Sequence, residues 1–242
     1  VVAKTDVTLS STAGNVTTGE KVTATSGTVS IATGTGNISV QAAEAGKDIS
    51  LKTTEGNITN SGVLTAKETV SLNAVTSGNI NVNNQITGKD IEIQTANGTI
   101  ETNAAGTLTA TAEGGTITVG ATQGSIVLGS AVTADQKVDV EATAGSVTLN
   151  GAVESVAGEV EVTAQNDVTT NAAVKAKTDV TLSSTAGGVT TGEKVTVTSG
   201  NVNITASGAV ETDKEIYGGT DVTLWSKNAT VLAKETVTAK SG

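Results

Sequence analysis

Apolar and polar residues alternate along almost the whole chain, in short bursts. Val7-Thr8-Leu9, Ile49-Ser50-Leu51 and Ile91-Glu92-Ile93 each set an aliphatic residue at every second position. A period of two gives a strand one buried and one wet face. The opening pair, of the form V/I-x-L/I/V/A, begins at Val7, Val29, Ile49, Val70, Ile91, Leu108, Val138, Val160, Val180, Val202 and Val222, with a partial copy at Val237. Most steps between these positions are 20 to 22 residues, but the step into Leu108 is 17 and the step out of it is 30.

A second motif follows eight to ten residues after each opening, as in Gly14-Asn15-Val16, Gly36-Asn37-Ile38, Gly56-Asn57-Ile58, Gly78-Asn79-Ile80, Gly98-Thr99-Ile100 and Gly145-Ser146-Val147. A third apolar position comes some six residues later, at Val22, Leu64, Ile86, Val153, Val174, Val195 and Ile216. Three short strands separated by Gly, Asn and small polar residues make one triangular coil, since those residues tolerate the backbone conformations of tight corners. One such coil cannot bury its own inward face, whereas stacked coils supply each other with backbone partners. The pattern therefore predicts an all-β fold, a parallel β-solenoid of about eleven coils of ~21 residues, forming a single domain over residues 1–242. Right-handed winding is expected for such parallel connections. The disturbed spacing predicts an irregular, enlarged coil around residues 108–137, where Gly124-Ser125-Ile126-Val127-Leu128-Gly129 reads as a surplus strand. The alternative is a protruding element used for binding.

A longer period overlies the short one. Ala3–Val22 recurs as Ala176–Val195 with one difference in twenty positions, Asn15 against Gly188. Neither end reads as a polar cap. The open edges are expected to be covered by continuation in a longer chain or by self-association through the solenoid ends.

Composition narrows the picture. The chain has no Phe, Met, Cys, Pro, His or Arg, and Tyr217 and Trp225 are its only aromatics, so its core must be narrow and aliphatic. A hydrophobic content of 36% with regular alternation argues against disorder despite a net charge of −10. Without Cys there are neither disulfides nor thiolate metal sites, and the chain tolerates oxidising surroundings. No apolar run approaches the length of a membrane span. The acidic balance and the lack of Arg speak against nucleic-acid binding.

The succession Lys177-Thr178-Asp179-Val180-Thr181-Leu182, then Gly-x-Val/Ile, then a Val-x-Ala third strand, resembles the repeat region of filamentous haemagglutinin-like bacterial exoproteins. Gly46-Lys47-Asp48-Ile49-Ser50-Leu51 and Gly88-Lys89-Asp90-Ile91-Glu92-Ile93 look like the same opening. The likeness spans nearly the whole chain. It implies a right-handed β-helical shaft of a large adhesin, secreted or displayed on the cell surface, meeting a host-surface or glycan receptor. It transfers no catalytic residue, and no domain resembling the family's secretion signal stands in the chain.

Candidate chemistry is sparse. Asp139, Glu141, Glu159 and Glu161 cluster on outward positions of adjacent coils, with Asp139 expected beside Glu161 and Lys137 beside Glu159. A solvated acidic face with one stacked ion pair is the plain reading, and a weak cation patch on Asp139, Glu141 and Glu161 is the sharper one. Tyr217 and Trp225 offer an aromatic contact for a glycan or partner, against simple corner covering. Lys4, Lys47, Lys67, Lys89, Lys177 and Lys234, each followed closely by Asp or Glu, read as a mixed-charge edge or as a ridge for lateral pairing. Thr17-Thr18, Thr169-Thr170 and Thr190-Thr191 raise ice binding, but the equivalent pairs elsewhere are too varied for a regular array. With neither paired carboxylates in a cleft nor His, the expectation is a structural or adhesive protein with no enzymatic activity and no cofactor. A self-assembling filament is the alternative, and a polysaccharide-binding or polysaccharide-degrading β-helix a lesser one.

Overall fold

A computed structural model describes residues 1–241. Every element in it is a β-strand, and every strand pairing is parallel. The strands form three ladders, one per face of the coil. The first face is an eleven-stranded sheet whose inward residues begin at Val7, Val29, Ile49, Val70, Ile91, Ile117, Val138, Val160, Val180, Val202 and Val222. The second and third faces join into one sheet because the strands Val16–Ala24 and Ile38–Ala45 run across the corner between them, with a register shift between Thr18 and Lys21. The fold is the expected β-solenoid of about eleven coils.

Alternation sets the core. In the strand Lys137–Ala142 the two valines, Val138 and Val140, are buried and Asp139 points out; Val147 and Leu149, and then Val153, repeat this on the next two faces. The buried set is mostly Val, Ile, Leu and Ala, with some Thr, Ser and Asn, stacked on equivalents in the neighbouring coils. Each buried Val, Ile or Leu contributes roughly 1.5–3 kcal/mol by leaving water, and each Ala less.

One corner explains the Gly-Asn-Ile motif. Gly14, Gly36, Gly56, Gly78 and Gly98 all take positive φ, and each after the first stacks directly on the carbonyl of the one before it. A Cβ on Gly78 would lie 1.8 Å from the Gly56 carbonyl oxygen. That spacing leaves room only for a hydrogen, so the column is glycine for steric as well as conformational reasons.

The irregular coil is not where the spacing predicted it. Leu108 heads no coil; it lies on the third face, between Ile86 and Val132. The first-face residue of that coil is Ile117, paired to Ile91 and Val138. Ile126–Leu128 is no surplus strand either, but the ordinary second-face strand between Ile100–Thr102 and Val147–Leu149. The enlargement thus belongs to the coil that opens at Ile91, across which the step from Asp90 to Thr116 is 26 residues. Its extra length sits in two turns, one on either side of Leu108–Ala110. In the first, Asn103 Oδ1 accepts from Ala105 N at 2.8 Å; in the second, Gly114 takes φ +78 and donates to Asp135 Oδ2 at 2.8 Å. Leu-x-Ala serves the first and third faces equally well, so alternation alone cannot tell them apart.

Candidate functional site

The charged residues of the first face fall as their spacing predicts. Lys137 pairs in register with Glu159, and Asp139 with Glu161. The Lys137 ammonium lies 2.7 Å from Glu161, 3.1 Å from Glu159 and 3.5 Å from Asp139. It therefore fills the space that a cation patch on Asp139, Glu141 and Glu161 would need. Glu141 stands apart, on the column between Gly120 and Thr163, where Thr143 Oγ1 donates to it at 3.4 Å. Among the described residues no three His, Cys, Asp or Glu side chains converge as a metal site. Partial burial holds the Asp139 carboxyl above its ordinary range, with Lys137 pulling it down and Glu161 pushing it up. The hydrogen bond to Glu161 raises Lys137 in turn.

The two aromatics do not form a platform. Tyr217 stands on the third face, between Thr196 and Thr238, and not at a corner. Trp225 stands half exposed on the first face beside Thr205. The corner at Gly219–Asp221 separates them, so they point out of different faces. Nine residues of separation look close in sequence, but a corner falls within them.

The Thr pairs divide in the same way. Thr169 and Thr190 point outward, while Thr170 and Thr191 are fully buried. The outward column on this face runs Ser39, Thr59, Asn81, Glu101, Val127, Thr148, Thr169, Thr190, Glu211. Its hydroxyls are interrupted by amide, acid and aliphatic groups, which is the irregularity expected from the sequence.

Two sets of residues do more than their sequence suggests. Asn15, Asn37, Asn57 and Asn79 form a relay along the glycine corner, each accepting from the backbone N–H of the next coil at 2.8–2.9 Å. Asp6, Asp48 and Asp90 do the same at the corner before the first face, accepting from Thr28, Thr69 and Thr116. The Asp of each Lys-Asp opening is thus a backbone fastener, and of the six lysines read as a charged edge only Lys234 makes an ion pair among the described residues. The signal was available: an acceptor side chain recurring at one coil position is what a stacked corner requires.

Several depressions mark the surface. One of about 790 Å³ opens at the first coil beside Leu9, Val16 and Thr17. A second, of about 360 Å³, lies on the first face where Gly120 leaves a gap between Asn73 and Gln94 on one side and Glu141 on the other. It does not reach Asp139 or Glu161. The groups around it can hydrogen-bond a polar ligand. Comparison with family models, with curated proteins and with solved structures gave no match for this chain.

Proposed function

We propose that this chain is a structural shaft: a stiff β-solenoid segment of a secreted or surface-displayed bacterial adhesin or fibre, working by its length and rigidity and not by catalysis. The observation behind this reading is the continuity of all three ladders through the stack, with a buried aliphatic layer in each interior coil. Each coil adds about 4.8 Å, so the chain makes a rod on the order of 50 Å whose stiffness needs no large globular core. The extracellular setting is supported by the absence of Cys and by the likeness of the Lys-Thr-Asp-Val openings to haemagglutinin-type repeats.

Negative-stain microscopy with small-angle scattering tests the mechanical part. A straight rod of uniform width is expected; a bent or collapsed particle would remove the basis for a shaft. Display is tested separately, by protease shaving of intact source cells. Loss of the chain's peptides from shaved cells supports exposure, and full protection counts against it.

A second reading has these rods stack end to end as a filament. It is favoured by the inward columns at the outermost strands, where Val231 and Val237 stand exposed although their partners Val210 and Ile216 are fully buried. Sedimentation velocity over a range of concentrations separates the two. Species growing in whole-rod steps support the filament, and a concentration-independent monomer opposes it.

A further inference from the structure

The two halves of the stack share backbone fasteners at their corners but differ in their ion pairs. In coils one to five the corners are held by the neutral Asn relay and by the Asp acceptors onto backbone N–H groups. Among the described residues, the one ion pair joining coils in that half is Lys21–Glu44. From the seventh coil onward such fasteners persist, at Asp167, Asp179 and Asn201, and ion pairs are added to them. Lys137 with Glu159 and Glu161, and Glu154 with Lys175, tie the seventh coil to the eighth. Lys194–Glu215 ties the ninth to the tenth; Lys214–Glu235 and Lys234 with Glu211 and Asp213 tie the tenth to the eleventh. These side chains are about a third to three-fifths exposed, so salt screens them. A side-chain acceptor bonded to a backbone N–H sets no two opposite charges against each other, so salt has less to screen.

The core changes over the same stretch. The second inward residue of the second face is Val40, Asn60, Val82, Thr102, Leu128 and Leu149 in successive coils. Each is apolar or satisfied: Asn60 donates to Gly62 and Asn84 carbonyls and accepts from Asn83 N, and Thr102 accepts from Gly129 N. In coils eight, nine and ten the column becomes Thr170, Thr191 and Thr212, stacked in register. All three are fully buried, and none of their hydroxyls has a hydrogen-bond partner. Burying an unpaired hydroxyl is unfavourable. In a solenoid, stability is a sum over coils and their interfaces, so three such groups in a row create a local deficit.

We infer that coils eight to eleven form a salt-responsive opening unit, which loosens as ions screen its bridges while coils one to five stay shut. Such a unit gives a stiff shaft one compliant end. The inference goes beyond the shaft reading and does not depend on where the protein works.

Hydrogen exchange of the intact chain, read by mass spectrometry at about 20 mM and about 1 M NaCl, tests it. The fair comparison is coil eight with coil four, each fourth from its own end. Backbone amides of Val168–Thr170 are expected to exchange about tenfold faster than those of Ile80–Val82, and to speed up further with salt while the latter do not. The triple variant T170V/T191V/T212V should slow exchange there by about tenfold or more. Thr191→Val alone gives the same sign if the triple variant does not fold. Replacing Lys194, Lys214 and Lys234 by Gln should abolish the salt response of coils nine to eleven. Equal protection of coils four and eight would overturn the inference. So would a salt response spread evenly along the rod, or valine variants that exchange like the parent.

Discussion

Replacing Gly78 by Ala tests the stacking logic at its tightest point. Gly78 has φ +141 and sits over Gly56, whose carbonyl oxygen lies 1.8 Å and carbonyl carbon 2.5 Å from where the new Cβ would stand. An L-residue at that φ costs about 1–3 kcal/mol in backbone strain. Relieving the overlap means parting the coils at the corner, where Gly56 N donates to Ser77 O at 2.9 Å and Asn79 N to Asn57 Oδ1 at 2.8 Å. Losing those two bonds adds about 0.5–1.5 kcal/mol each, for a total of about 2–6 kcal/mol. Gly19→Ala is the control, because nothing lies within 4 Å of the place its Cβ would take and its φ is unstrained. Urea unfolding followed by circular dichroism should lower the midpoint strongly for Gly78→Ala and leave Gly19→Ala within about 0.5 kcal/mol of the parent. Unfolding of a long stack need not be two-state, so exchange of the Ile58 and Ile80 amides should be read alongside. If both alanine variants unfold together, the glycine column is not sterically required and the corner geometry is wrong.

Other expectations follow from single contacts. Asn57→Ala removes the acceptor for Asn79 N and should cost about 1 kcal/mol by urea unfolding, while Asn57→Asp, which keeps an acceptor, should cost less. Leu51→Ala empties a fully buried site and should cost about 2–5 kcal/mol in the same assay. Lys137→Met should lower the thermal midpoint more at pH 7 than at pH 4. A carboxyl whose folded pKa is raised, as at Asp139, loses stability as pH climbs through its range, and without the ammonium that loss deepens. Equal effects at the two pH values would show that Lys137 acts by packing alone. Trp225→Ala should leave stability within about 0.5 kcal/mol, since the ring stands on the surface; a larger loss would mean that it covers a corner.

Much of the architecture is legible in the sequence because a solenoid repeats its instructions. Alternation identifies the strands, and recurrence at one coil position identifies the faces, so Asp139 and Glu161 could be set side by side from counting alone. The reading fails where one coil departs from its neighbours. Two turns around Leu108–Ala110 lengthen the Ile91 coil, and a Leu-x-Ala pair then passes for a first-face opening. It fails again where a corner intervenes, since Tyr217 and Trp225 are near in sequence but belong to different faces. The acceptor roles of Asn57 and Asp48 were signalled by recurrence at one coil position but masked by a simpler explanation. Turn preference explains Asn and Asp at a corner well enough that a second role, toward the next coil, is not called for.

The near-identical blocks Ala3–Val22 and Ala176–Val195 show that the unit of structure is the stack and not the coil. They differ at one position, yet their corners are built differently. In the first block Gly14 takes φ +130, and Asn15 accepts from Asn37 in the coil that follows. In the second, neither Gly187 nor Gly188 has positive φ, and Gly188 N donates to Asp167 of the preceding coil at 2.8 Å. Both bonds run from an acceptor side chain in one coil to an N–H in the next, but the block changes its part in them. Asn15 supplies the acceptor for its successor, whereas Gly188, having no side chain, only receives one from its predecessor. A corner is therefore a property of a column of residues one coil apart. Fixed inward and corner columns leave only the outward positions free to vary without cost to the stack. Any binding function added to this solenoid must be written there, on positions such as those around Gly120, where an absent side chain already opens the face.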